Sequence, residues 1–90
     1  METIKKIQIV NDLGLHARAA AKIVELTGQY QSALFLKKNE REVDASNILS
    51  ILTLSCPKGT EIHARAVGKD ADALVMDLEA LFKNKFGEKK

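Results

Sequence analysis

The chain has no tryptophan, one tyrosine, three phenylalanines, one proline and one cysteine among its 90 residues. Each shortage excludes something. Cys56 has no partner for an internal disulfide, so the fold does not depend on oxidation and a reducing cytoplasm suits it. Aromatic side chains make up only 4% of the chain, so base-stacking rings beside basic residues are missing. Lys and Arg (14) exceed Asp and Glu (12) by only two, and the excess is evenly spread, which argues against nucleic-acid binding. No apolar run approaches membrane-spanning length, which argues against membrane insertion. The opening "METIKKIQIV" lacks the apolar stretch and small-residue site of a signal peptide. Walker loop, nucleotide fingerprint and paired carboxylates beside a histidine are all absent. Cys56 and His63 are too isolated for a metal site, and no cofactor is expected. What remains is a soluble cytoplasmic chain, read as one domain over residues 1–90 with residues 87–90 as a frayed tail.

What is present is periodicity. Residues 3–10 alternate, with Ile7 and Ile9 on one face and Lys6 and Gln8 on the other. From Ala17 to Thr27 the pattern turns helical, with Ala20, Ile23, Val24 and Thr27 on one stripe and Gly28 as the stop. Residues 32–38 form a second strand, Asn39-Glu40 a tight turn, and residues 41–45 a third strand. Ser46 and Asn47 open a short helix, since both side chains accept from free helix-start N–H groups. Residues 60–67 alternate again, and Asp70 is expected to cap a last helix carrying Leu74, Val75, Leu78, Leu81 and Phe82. The order β-α-β-β-α-β-α predicts an α+β fold: a two-layer open-faced β-sandwich, a four-stranded antiparallel sheet with three helices on one face. Lys5, Lys6, Lys37 and Lys38 read as a solvated sheet edge and hairpin, and His63 as a surface residue.

The chemistry concentrates in "LGLHARAAA". A helix that starts at Ala17 has His16 as its N-cap, although histidine is not a preferred cap. The free amides and the dipole at a helix start favour an anion beside the ring. Arg18, two residues on, offers a guanidinium that can pair with a dianionic phosphoryl group. Alone, Arg18 would be an ordinary surface charge; together with His16 it makes a nucleophile with an anion cradle. In the short helix, Ile48, Leu49, Ile51, Leu52 and Leu54 are too many for one buried stripe. Two readings of this excess stand: an overfilled small core, or a docking patch for a partner protein.

The segment "NDLGLHARAAAKIVE", the element order, the turn at Asn39, the short helix from Asn47 and "PKGTEI" together resemble the HPr family over essentially the whole chain. These are the histidine-containing phosphocarriers of the bacterial phosphoenolpyruvate-dependent phosphotransferase system. The resemblance implies that His16 takes a phosphoryl group on Nδ1 from enzyme I, which draws it from phosphoenolpyruvate. It implies transfer onward to an enzyme IIA-type acceptor in sugar uptake, the protein being a carrier and not a turnover enzyme. Arg18 and the amides of Ala17 and Arg18 would steady the phosphate, and Ala21, Lys22, Ile48, Leu49 and Leu52 would form the docking surface. A regulatory, nitrogen-type branch and a non-phosphorylated interaction module are the alternatives.

Three positions depart from the family pattern. Ala19 stands where proline is common after the arginine, Glu40 stands where the hairpin has glycine, and Asn47 stands where many members carry a regulatory serine. Asparagine caps a helix as serine does but cannot be phosphorylated. Control by an HPr kinase/phosphorylase or another regulator would then fall to Ser46, one residue earlier.

Overall fold

The computed structural model describes residues 1–90. Strand β1 (Glu2–Gln8) leads to helix α1 (Ala17–Thr27). Strands β2 (Ala33–Lys38) and β3 (Arg41–Asp44), helix α2 (Ile48–Leu52), strand β4 (Glu61–Val67) and helix α3 (Ala71–Lys83) follow. The four strands form one sheet in the order β1-β4-β2-β3, and every pairing is antiparallel. The open four-stranded antiparallel sheet with three helices is therefore the one the sequence predicts.

Alternation decides the inner face. Ile7 pairs with Ile62, and Leu36 pairs with Ala64 and Val43. Ile62, Ala64 and Ala66 place small and medium side chains along β4, near the middle of the sheet. The two alanines let the helix layer approach closely, where Ala20 and Ile23 from α1 and Leu74, Leu78 and Phe82 from α3 complete the core. Of these, the Ile, Leu and Phe side chains each contribute about 1.5–3 kcal/mol on burial. On the opposite face Arg65 lies 4.5 Å over the Phe35 ring and forms a two-pronged pair with Glu42, at 2.8 and 3.0 Å.

The boundaries agree with the sequence reading to within a residue or two, but four local expectations change. First, Asp70 occupies the N-cap position of α3 without a side-chain cap bond. Its carboxylate instead accepts from the N–H groups of Gln31 and Ser32 and from the Ser32 hydroxyl. Three donors from the β2 approach outweigh one from its own helix, and they hold this carboxyl below its ordinary range, the Ser32 hydroxyl most strongly.

Second, only Lys6 and Lys37 lie on the open face. Lys5 reaches Glu79 of α3 at 3.5 Å, and the Lys38 ammonium donates to the carbonyls of Leu54 (3.1 Å) and Ser55 (2.6 Å) just past α2. Third, Gly28 ends α1 in right-handed helical conformation, so the left-handed stop is not used there. By contrast, Asn39 does take the positive φ of 56° that the hairpin requires.

Fourth, the end of the chain makes contacts that its polar composition did not suggest. After α3 the chain turns at Lys85–Gly87, and Phe86, 1% exposed, packs its ring 4.9 Å from that of Phe82. The Lys90 carbonyl accepts from the Asp12 N–H at 3.1 Å. A buried aromatic is enough to order a short segment that polar composition alone would leave loose.

Candidate functional site

The segment from Asn11 to Leu15 carries His16 to the start of α1. Asn11 is fully buried, and its side-chain amide donates to the Gly14 carbonyl at 2.9 Å, closing the loop on itself. Gly14 has φ +67°, and a Cβ there would lie 2.3 Å from the Cys56 carbonyl oxygen and 2.8 Å from Pro57 Cα. The Leu15 N–H donates to that same carbonyl at 2.9 Å. Glycine is required here because the loop and the segment leaving α2 touch backbone to backbone.

His16 is the N-cap of α1, as the sequence predicts, and it caps with its ring: the Arg18 N–H donates to Nδ1 at 3.3 Å. This is a long, weak bond for an N–H donor. It has a chemical corollary, since a nitrogen that accepts carries a lone pair and no proton, which places the proton of the neutral ring on Nε2. At Nε2 the ring meets Glu88 Oε2. The second oxygen of that carboxylate accepts from Asn11 Nδ2 at 3.1 Å. The hydrogen bond from His16 is the main cause holding the Glu88 carboxyl below its usual range, assisted by Asn11 and opposed by partial burial.

Glu88 is the residue that sequence reasoning missed. It lies 72 positions from His16, in a segment with no periodicity to anchor an expectation. The one available signal was Phe86, a large apolar residue in an otherwise polar tail.

The other expected residues divide. The guanidinium of Arg18 is exposed and forms no bond within the protein. The amides of Ala17 and Arg18 lie in the first turn of α1, where N–H groups have no helical partner. Ala19 is buried in the same turn. Leu49 is 73% exposed, Ile48 lies at the surface margin, and Ala21 is exposed, giving an apolar patch on two neighbouring helices. Leu52 is half-buried against the core, Ile51 is buried, and Leu54, just past the end of α2, is buried too, so the excess of apolar residues in and after this helix serves both core and surface. The Lys22 ammonium donates to the Phe86 carbonyl, which ties it to the tail. Leu13, three residues before His16, is a further exposed apolar side chain, 68% exposed, that was not anticipated.

Asn47 caps α2 by accepting from the Ser50 N–H at 3.2 Å. Ser46 is exposed, with its N–H donating to Asp44 at 2.8 Å. Cys56 is buried, and burial pushes its thiol up, which makes it unreactive.

Comparison with known proteins bears on this geometry. A family model described as the PTS HPr component phosphorylation site matches residues 4–84. Phosphocarrier protein HPr of Xylella fastidiosa strain Temecula1 is 39% identical over 83 residues, covering 92% of this chain and 93% of that protein. Phosphocarrier protein NPr of Shewanella violacea is 34% identical over 84 residues, covering 93% of this chain and 92% of that one. The crystal structure of HPr-C-His from Thermoanaerobacter tengcongensis superposes with a TM-score of 0.93 at 32% identity, covering 98% of this chain and 99% of the other.

Proposed function

The chain belongs to the HPr family of phosphocarriers, and on that premise we propose that His16 accepts a phosphoryl group from phosphorylated enzyme I and passes it to an enzyme IIA-type acceptor. One observation carries the reading. His16 sits at a helix start with its Nδ1 lone pair facing the Arg18 N–H, beside a guanidinium that has no internal partner. The Nδ1 lone pair attacks phosphorus, the bond to the donor breaks, and its electron pair leaves with the donor. The Arg18 N–H then turns from the ring nitrogen to a phosphoryl oxygen, joined by the Ala17 amide and the guanidinium. The weakness of the cap bond favours this exchange, because little is lost when it opens. The return step onto the acceptor is the same displacement reversed, so the protein is a carrier and not a turnover enzyme.

Partners would dock on Ile48, Leu49 and Ala21, with the half-buried Leu52 and tethered Lys22 at the margin. No helix is long and apolar enough to cross a membrane, and the unpaired, buried Cys56 suits a reducing cytoplasm. A regulatory branch, in which the same step feeds a signalling acceptor, is the second reading. It is favoured by the likeness to a phosphocarrier called NPr.

Incubation with enzyme I and labelled phosphoenolpyruvate tests the carrier role. Acid-labile label is expected on the wild type and none on His16→Ala; equal label on both would refute it. Presenting the labelled protein to a sugar-type and to a regulatory enzyme IIA side by side separates the two branches, the faster acceptor naming the branch. Phosphate on Ser46 after treatment with an HPr kinase/phosphorylase would show that serine control survives despite Asn47.

A further inference from the structure

We propose that Glu88 is a positioning residue that confines the reaction of His16 to Nδ1, by occupying Nε2 with its carboxylate. This rests on the reading of His16 as the phosphoryl acceptor. An imidazole has two nitrogens of comparable nucleophilicity, and the neutral ring places its single proton on either. A phosphocarrier must resolve this choice, because a group attached to the wrong nitrogen points away from the cradle.

Two contacts resolve it in the same direction. The Glu88 carboxylate, which can only accept, faces Nε2 and requires a proton there. The Arg18 N–H, which can only donate, faces Nδ1 and requires a lone pair there. Of the two, the bond to a charged acceptor is the stronger, and the 3.3 Å bond to the amide is the weaker. Glu88 therefore sets the tautomer, and Arg18 yields when phosphorus arrives. During the step the ring becomes cationic, Nε2 keeps its proton, and that proton stays on the bond to Glu88. No proton transfer is needed to balance the reaction.

The carboxylate is itself held from several sides. Asn11 Nδ2 binds its other oxygen at 3.1 Å while also binding the Gly14 carbonyl, so the tail and the loop before His16 share one buried amide. Phe86 is buried two residues earlier, Lys22 binds the Phe86 carbonyl, and the Asp12 N–H binds the Lys90 carbonyl. These contacts converge on the only carboxylate that touches His16. Nothing about a tail that merely covered the core would require its one ring-facing group to be an acceptor aimed at Nε2.

The test uses Glu88→Ala and Glu88→Gln in the full chain. Glutamine keeps the size but replaces one carboxylate oxygen by an NH2 group, so either Asn11 Nδ2 or His16 Nε2 faces a donor instead of an acceptor. Ring nitrogen NMR of the wild type should show a proton on Nε2 and none on Nδ1, and phosphorus-nitrogen coupling after enzyme I treatment should show attachment at Nδ1 alone. Both variants should show mixed tautomers and phosphorylation slowed about three- to tenfold, a modest loss because the pair is only partly buried. A purely structural tail would lower the melting temperature and leave the tautomer unmoved. Wild-type ring spectra together with wild-type rates in both variants would overturn the proposal. Absence of label on the wild type would remove the carrier reading, while the ring spectra would still decide whether Glu88 sets the tautomer.

Discussion

Helices α1 and α2 begin alike and differ in one respect. Each is capped by the side chain of its N-cap residue, which accepts an N–H from within the first turn, at 3.3 Å in α1 and 3.2 Å in α2. At α2 the acceptor is the amide oxygen of Asn47, an atom with no further chemistry. At α1 it is a ring nitrogen of His16 whose lone pair is also a nucleophile. On the function proposed above, the Asn47 cap stays made and the His16 cap is displaced when phosphorus arrives. The contrast is that a preferred cap and a reactive cap compete for one position: α2 has a preferred capping residue, and α1 has one that the proposed function makes reactive.

The sharpest way to break the comparison is to give α1 the cap of α2. His16→Asn should abolish acid-labile labelling completely while unfolding free energy stays within about 1 kcal/mol of the wild type, as urea denaturation would measure. Next in size is removal of the stable cap. Asn47→Ala should cost about 1 kcal/mol of stability and leave the His16 ring signals in place. Asn47→Ser is smaller still: the two residues cap almost equally well, so the denaturation midpoint should barely move, while a phosphorylatable hydroxyl appears at that helix start.

The third helix start sharpens the contrast by a different route, because Asp70 spends its carboxylate on Gln31 and Ser32 instead of on α3. Its folded pKa lies below the ordinary value, as does that of Glu88. The stability each contributes is thus fully present above about pH 4, where the unfolded carboxylate is ionised, and is lost as pH falls through the lowered folded value. Thermal melts across the acid range should show a shallower acid limb for Asp70→Asn than for the wild type, a small effect at a half-exposed site.

Much of this was legible in advance, for a physical reason. Strand alternation, the α1 stripe and the turn at Asn39 are short-range signals, and the His16–Arg18 spacing is local too. What escaped was long-range. Asp70 looked like a cap because its neighbours in sequence said so, while its real partners come 38 and 39 positions earlier. Lys38 looked fully solvated because alternation assigns a face without revealing that the end of α2 lies above it, whereas Lys5 stays exposed while it reaches Glu79. Glu88 was unreadable for the same reason, and the polar residues around it disguised a segment that one phenylalanine fastens down.

The contact at Gly14 carries a last consequence. With backbone pressed on backbone between this glycine and the Cys56–Pro57 segment, the loop presenting His16 and the exit of α2 behave as parts of one jig. If a partner docks on Leu49 as proposed, its distance to the histidine depends on this backbone contact. Substitutions at Cys56 or Pro57, remote from the chemistry, would then act as misalignments: docking would proceed, and the phosphoryl group would miss.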